Sequence, residues 1–274
     1  LPLLDIAHFR TSPAAFAREL RHACHHVGFF QLKHGVPLDV VGKVTAEARA
    51  FFARSADEKT GIDYVKSPAF RGYMSLGVEN TAGKLDLREQ VEMAPEGDPA
   101  PPTAWPPYQR LRGPNQWPSI QPSLEPAIAE YAQHMRVVSS EVTQALCLAL
   151  GLDRTALDHH FEPDPHWQLK LASYQTAAST PTTATSEREV GVGAHTDSGW
   201  LTMLLQDNSG GLQAFTQGEW VDVPPLGDEC IVVNLGEVAE LLSGGYLLAT
   251  PHRVLLPQAK RLSVPYFSTR ASRP

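Results

Sequence analysis

The sequence predicts a mainly β protein with helices. A C-terminal jelly roll (a double-stranded β-helix) is expected, backed by N-terminal and central helices within one domain, residues 1–274. Three observations carry that expectation. Apolar residues recur every three or four positions over 12–60 and again over 123–150, the pattern of helices that bury one face. From Trp167 onward the period falls to two, in short runs broken by Asn208-Ser-Gly-Gly211, Pro224-Pro225, Gly236 and Gly244-Gly245, as in strands joined by turns. Between these regions, ten of the 23 prolines fall from Pro95 to Pro126, where fixed φ angles and missing donors exclude a ladder of strands.

Region 1–122 is helical and mixed and ends in the Pro-rich connection. Ser12 followed by Pro13 offers an N-cap and a first-turn proline, and Phe16, Leu20, Ala23 and Val27 form the buried stripe of a helix. Gly28–Val36 reads as a short buried strand, and Val40, Val41, Val44, Ala48 and Phe51/Phe52 mark another helix. Region 123–166 is dominated by a long backing helix from Ser123 to Leu150, on which Ile128, Tyr131, Met135, Val138, Val142 and Leu146 share a face before a C-cap at Gly151. In region 167–274 apolar segments begin near Trp167, Val190, Trp200, Leu212, Trp220, Cys230, Leu247 and Arg261. Roughly eight strands at a spacing of about ten residues fit a closed sandwich or barrel. Thr176–Glu189, rich in Ser, Thr and Ala, reads as a loop.

A chain of 274 residues buries an ample core without staples. Its formal net charge of −7 argues against nucleic acid and anionic membranes, which are held by clustered Lys and Arg. Cys24, Cys147 and Cys230 are far apart and form no CxxC pair, which excludes a disulfide framework or a cysteine zinc site and fits the cytoplasm. The longest apolar run, near Ala145–Leu150, is far too short to span a bilayer. Leu1 is not a methionine, which leaves room for a removed targeting segment. The expected partner is a small-molecule substrate, and the expected state a monomer or weak homo-oligomer.

Candidate chemistry starts at His195-Thr-Asp197, whose imidazole and carboxylate face the same way if the segment is a strand. About one such H-x-[DE] triplet is expected by chance at this composition, and a second one, His160-Phe-Glu162, runs into Pro163 and reads as a polar helix end. Context separates the two. Val190-Gly-Val-Gly-Ala194 leads into His195, and Thr250-Pro-His252-Arg-Val254 brings another histidine on a later strand, 57 residues on. Two histidines and one carboxylate make a facial triad that binds Fe(II) and keeps coordination positions open. A structural zinc site would close with four ligands. Arg261 and Ser263 share a strand face, and a guanidinium fork beside a hydroxyl suits a distal carboxylate, to which Tyr174 could add a second hydroxyl. Taken singly, Arg261 reads more readily as an edge-strand charge and Tyr174 as core.

Gly193-Ala-His195-Thr-Asp197, Gly210-Gly211-Leu-Gln213, Asn234-Leu-Gly236, Thr250-Pro-His252-Arg-Val254 and Arg261-Leu-Ser263-Val-Pro265-Tyr-Phe267 follow one another in that order. Together they resemble the isopenicillin N synthase-like branch of the 2-oxoglutarate- and Fe(II)-dependent dioxygenases. Leu1-Pro-Leu-Leu-Asp5, Gly28-Phe-Phe30, His34-Gly-Val36, Arg71-Gly-Tyr73, Glu79, Asp86, Glu89 and Asn115-Gln-Trp117-Pro118 extend the likeness through the N-terminal and middle regions. The resemblance implies His195, Asp197 and His252 as iron ligands and catalytic centre, and Arg261, Ser263 and Tyr174 as contacts to 2-oxoglutarate. It also implies O₂ as cosubstrate, ascorbate as an accessory reductant, and a substrate that is hydroxylated, desaturated or cyclised with release of succinate and CO₂. Secondary metabolism is the implied setting. Two positions depart from the pattern: Glu237 stands where many members have Asp, and Ala172 where some have a cosubstrate-contacting Asn. The chain ends at Pro274, soon after the last strand, which predicts a more open site than in relatives with a longer tail. The expected pocket is mostly apolar, with Phe70, Arg71, Tyr73, Trp200 and Phe267 as candidate wall residues.

Two rival readings remain at this level. One is an Fe(II) oxidase of the same fold that draws all electrons from its substrate; the other is a catalytically silent jelly roll that binds a small ligand or a protein. His22-Ala-Cys24-His25-His26 reads as helix surface with Cys24 in the core, and Lys260-Arg261 with Arg270 and Arg273 are too sparse for a nucleic-acid surface.

Overall fold

Two antiparallel-rich sheets face one another, and helices pack on the outer side of the larger. The computed structural model describes residues 1–81, 83–161, 166–176 and 190–269. The chain starts with β1 (Leu3–Asp5) and α1 (Ile6–Thr11), whose first turn is capped by the Asp5 carboxylate accepting from Ala7 N. Pro13 fills the first turn of α2 (Pro13–His26), and β2 (Phe29–Lys33) and α3 (Leu38–Phe52) follow as the spacing predicts. The short α4 (Ala56–Lys59) carries a reciprocal Ser55/Glu58 capping box. Then come β3 (Gly72–Met74), β4 (Asn80–Thr81), β5 (Lys84–Leu85) and β6 (Arg88–Met93). The Pro-rich stretch is irregular apart from one 3₁₀ turn at Pro107–Leu111. The backing helix α5 (Leu124–Ala149) and the short α6 (Asp158–Phe161) lead into β7 (His166–Tyr174).

The rest is β8 (Val190–His195), β9 (Leu201–Gln206), β10 (Leu212–Thr216), β11 (Glu219–Asp222), β12 (Cys230–Leu235), α7 (Glu237–Leu242), β13 (His252–Leu255) and β14 (Arg261–Thr269). Among the described residues the larger sheet runs β1-β2-β12-β9-β14-β7-β6-β3 and the smaller β11-β10-β13-β8. The sheets do not close into a barrel. The strand expected near Leu247 begins instead at His252, and Leu247 is core. The N-terminal region supplies four strands to the larger sheet where the period revealed only β2. The loop expected over 176–189 lies, from 177 on, outside the described residues, as do Glu162, Arg270, Arg273 and the chain's end.

Period-two alternation divides the larger sheet into two faces. Phe30, Leu32, Val91, Leu169, Leu171, Met203, Val264 and Tyr266 point outward and form one buried cluster with Phe16 and Leu20 of α2, Val44 and Phe51 of α3, and Tyr131, Met135 and Val142 of α5. Phe29, Ala172, Tyr174 and Val232 point inward and meet Val192, Leu212, Ala214 and Val254 of the smaller sheet. At about 25 cal/mol per Å² of buried apolar surface, both layers favour the fold strongly. No described helix is long and apolar enough to cross a membrane.

Arg71 clasps the Pro-rich segment to the body: its Nη1 donates to Asn115 Oδ1 (3.0 Å) and its Nη2 to the Leu111 carbonyl (2.9 Å). Arg71→Ala is expected to lower stability by about 2 kcal/mol and to speed protease cleavage within 95–122, read by thermal unfolding and limited proteolysis.

Candidate active site

β8 and β13 are hydrogen-bonded neighbours with His195 opposite His252, so both imidazoles stand at one end of the smaller sheet. The register then slips: Val254 pairs with Val192, so β8 spends three residues where β13 spends two. This bulge lets Val192 and His195 point to the same interior, although residues three apart in a regular strand face oppositely. β8 ends at His195. Asp197 therefore comes from the turn after the strand, not from the strand position that the i, i+2 reading predicts.

The turn brings Asp197 Oδ1 to 3.7 Å from Nε2 of both His195 and His252. The three side chains each offer a ligand atom, and all lie within 4.8 Å of one another. Each imidazole is oriented in the same way: Nδ1 of His195 faces the Gly193 carbonyl at 2.8 Å, and Nδ1 of His252 the Thr250 carbonyl at 3.1 Å. A carbonyl only accepts, so Nδ1 carries the proton and Nε2 presents its lone pair. Burial holds the His252 pKa below the usual imidazole range, favouring the neutral ligand form. Burial alone would raise the Asp197 carboxyl, but His252 and the hydrogen bonds from Asn234 and Thr202 hold it below its ordinary value. Two neutral imidazoles and one carboxylate on one side of a cavity suit a divalent first-row cation with open positions.

Asp197 Oδ2 accepts from Thr202 Oγ1 (2.5 Å) and Asn234 Nδ2 (2.7 Å), which leaves Oδ1 for the imidazoles. The turn itself is bolted to the residues after Asn234. Gly236 N donates to the Trp200 carbonyl and Glu237 N to the Asp197 carbonyl, while Glu237 accepts from the Thr196 hydroxyl. A Cβ on Gly236 would lie 2.2 Å from the Gly199 carbonyl oxygen. On the other side, the Thr250 hydroxyl donates to the Val27 carbonyl. Gly28, at φ +66°, lets that strand pass so closely that a Cβ would meet Leu248 O at 2.2 Å.

Deeper on the inner face, register sets a row across three strands: Arg88 opposite Tyr174, and Tyr174 opposite Arg261. Ser263 lies two residues along, opposite Ala172. β14 is an interior strand, so Arg261 is not an edge charge; it is 1 % exposed. Its Nη1 donates to the Gly210 carbonyl at 3.1 Å, whereas Nε and Nη2 have no hydrogen-bond partner among the described residues. A buried guanidinium with one open edge matches a carboxylate in size, charge and fork geometry. Its carbon stands 5.5 Å from the Tyr174 ring centre. Burial would raise the Tyr174 phenol, but Arg88 and Arg261 bring it below the usual range.

A cavity of about 400 Å³ opens at the triad, with His195, Asp197, Glu79, Arg88, Lys170 and Phe267 on its wall. The wall is charged, not apolar as expected, because the inner-face positions of β6 and β7 hold Arg88, Glu92, Gln168 and Lys170. Of the candidate wall residues only Phe267 lines it. Phe70 is exposed, and Arg71 holds the Pro-rich segment. Tyr73 donates to Glu89 on the outer face, and Trp200 is buried with its Nε1 donating to Thr143. A second cavity, of about 460 Å³ by Arg49, Asp207 and Lys260, holds none of the triad. The His22–His26 patch is ring contacts on the surface, with His25 stacked on Tyr246. Sequence reasoning missed the roles of Thr202, Arg88 and Lys170, which no period-two apolar signal marks.

The comparisons agree with this geometry. Residues 163–270 match the family model of the 2OG-Fe(II) oxygenase superfamily, and residues 1–120 match that of the N-terminal region of a non-haem dioxygenase in morphine synthesis. The chain is 37% identical, over 97% of its length and 73% of the relative's, to the 2-oxoglutarate-dependent dioxygenase frbJ of Dothideomycetidae sp.. It is 33% identical to a homoarginine-6-hydroxylase of Glycine max, over 91% of this chain and 76% of that one. The fold matches that of a Neurospora crassa protein solved in complex with alpha-KG and thymine (TM-score 0.85, 24% identity, covering 100% of this chain and 87% of that one). It also matches the rice dioxygenase for auxin oxidation (TM-score 0.73, 28% identity, 97% and 82%). The chain belongs to the 2OG-Fe(II) oxygenase superfamily. It is an oxidoreductase that uses Fe(II), 2-oxoglutarate and O₂ on small-molecule substrates.

Gly236→Ala is expected to displace the Asp197 turn, weaken Fe(II) affinity at least tenfold and cost about 1–3 kcal/mol of stability, measured by metal titration and thermal unfolding.

Proposed function

We propose that His195, Asp197 and His252 hold the ferrous ion, that Arg261, Ser263 and Tyr174 receive the far carboxylate of 2-oxoglutarate, and that a small polar substrate is hydroxylated in the charged cavity. The observation that carries this reading is the Arg261 guanidinium, 1 % exposed with Nε and Nη2 unpartnered. A buried charge left so is costly unless a ligand completes it. The same observation disfavours the oxidase that dispenses with the 2-oxo acid, and the oriented imidazoles disfavour a silent binding module.

When bound, iron with 2-oxoglutarate and O₂ supplies the oxidising power, giving succinate, CO₂ and the oxygenated substrate. The chain's own residues do the rest. The Gly193 and Thr250 carbonyls fix the two imidazoles, and Asn234 and Thr202 fix the carboxylate. The smaller sheet's apolar residues, Val192, Leu212 and Val254, close the interior against water. The soybean relative is named for homoarginine, a polar amino acid, which supports a polar substrate for a wall carrying Glu79, Arg88 and Lys170. Three buried free cysteines support the cytoplasm as its compartment.

Asp197→Ala is expected to abolish succinate release while the thermal transition remains cooperative; retained turnover would contradict the triad. Arg261→Ala is expected to raise the KM for 2-oxoglutarate by roughly 10²-fold and to leave Fe(II) affinity within a few-fold. Anaerobic addition of 2-oxoglutarate to the ferrous enzyme should give a weak visible absorption, and a flat spectrum would count for the silent module.

A further inference from the structure

The geometry points to Asp86 as the residue that reads a cationic nitrogen, an ammonium or guanidinium, on the substrate. This deepens the proposed oxygenase reading and rests on it for the cavity's role. Asp86 sits in the link between β5 and β6, its side chain 2 % exposed, on the wall of the triad cavity. Among the described residues neither carboxylate oxygen accepts a hydrogen bond. Oδ2 lies 3.2 Å from Arg88 Nη2, an ion-pair contact that does not reach hydrogen-bond geometry, while that nitrogen donates to Glu79 Oε2 at 2.6 Å.

The charges along this wall form a ladder with one carboxylate too many. Arg88 serves Asp86 and Glu79; Lys170 serves Glu79 at 3.2 Å and Glu92 at 2.6 Å; Gln168 donates to Glu92 at 2.9 Å. Among the described residues the ladder holds three carboxylates and two cations. The excess falls at Asp86, the rung without a donor of its own. Buried carboxylates require partners, and each cation here is already shared between two acids. Arg88 Nε is also open. An anionic substrate group placed there would add a fourth negative charge and leave Asp86 uncompensated, whereas a cationic one completes the ladder. The cavity begins at the triad, so a cation held at Asp86 places the carbons beside it toward the metal ligands.

The test titrates the anaerobic enzyme, loaded with Fe(II) and 2-oxoglutarate, by calorimetry with L-arginine and L-lysine, with L-citrulline and Nε-acetyl-L-lysine, which lack only the side-chain cation, and with Nα-acetyl-L-arginine and Nα-acetyl-L-lysine, which lack only the α-ammonium. The charged compounds are expected to bind at least ~30-fold more tightly than the matched form that lacks the charge, and Asp86→Asn is expected to erase that preference. Asp86→Glu, which keeps the charge, should retain it. Absence of binding by every cationic probe, equal binding of the parent amino acid and of both forms that lack one of its cations, or an undiminished preference in Asp86→Asn overturns the assignment. The wild-type contrast needs no variant, so it decides the matter even if Asp86→Asn does not fold. The visible absorption of the ferrous 2-oxoglutarate complex, recorded first, fails only if the oxygenase reading fails, which keeps the two outcomes apart.

Discussion

A carboxylate taken out of water must replace its hydration shell, and where each replacement comes from decides where its charge is aimed. Asp197 spends one oxygen on Asn234 and Thr202, both buried, and keeps the other for the two imidazoles. Were Oδ2 unpaired, the side chain would rotate toward whichever donor it could find, and the three ligand atoms would not share a centre. The rest of the site is arranged around that division of labour. Gly236 lies against the 197–199 turn because no side chain fits there, and the Glu237 backbone N–H and carboxylate grip the same turn at two points. The glutamate at 237 thus reaches the Thr196 hydroxyl with its side chain while its backbone holds Asp197.

Strand register carries this local order across the molecule. The row Arg88–Tyr174–Arg261 exists because β6, β7 and β14 are paired in register, and a slip of one residue would turn Arg261 into the helix-facing core and bring Leu262 inside. The β8–β13 ladder departs from regularity twice, and the shift next to His195, where β8 spends an extra residue, is the one that re-aims this ligand. Regularity positions the cosubstrate contacts, and a local irregularity positions a metal ligand.

Much of this was legible in the sequence. α2, α3 and α5 announced themselves by three-and-four spacing, and His195, Asp197, His252, Arg261 and Ser263 by ordered motifs; the structure brings the first three together and leaves Arg261 with an open edge. What stayed hidden has a common physical cause. β6, Arg-Glu-Gln-Val-Glu-Met, carries Arg88 and Glu92 toward the cavity and Glu89 toward Lys59 on the other face, so its apolar period is cut to the single pair Val91 and Met93. The same charges made the pocket wall polar where an apolar one was expected. Tyr73 and Trp200 were offered as wall residues because aromatics suit pockets, yet their polar atoms found partners in the core, Glu89 and Thr143, as large buried aromatics generally require.

Gly28 ties distant parts of the chain to one another. It lets the 248–250 segment press against the end of α2, its carbonyl accepts from Leu235 N, and Thr250, whose carbonyl orients His252, is fastened to Val27. The first helices are thus a bearing on which one metal ligand is seated, and not a detachable cover. The two regions matched by separate family models thus meet at the site: a fragment beginning after β2 would carry every metal-ligand side chain and still lack the Val27–Gly28 brace that aims one of them.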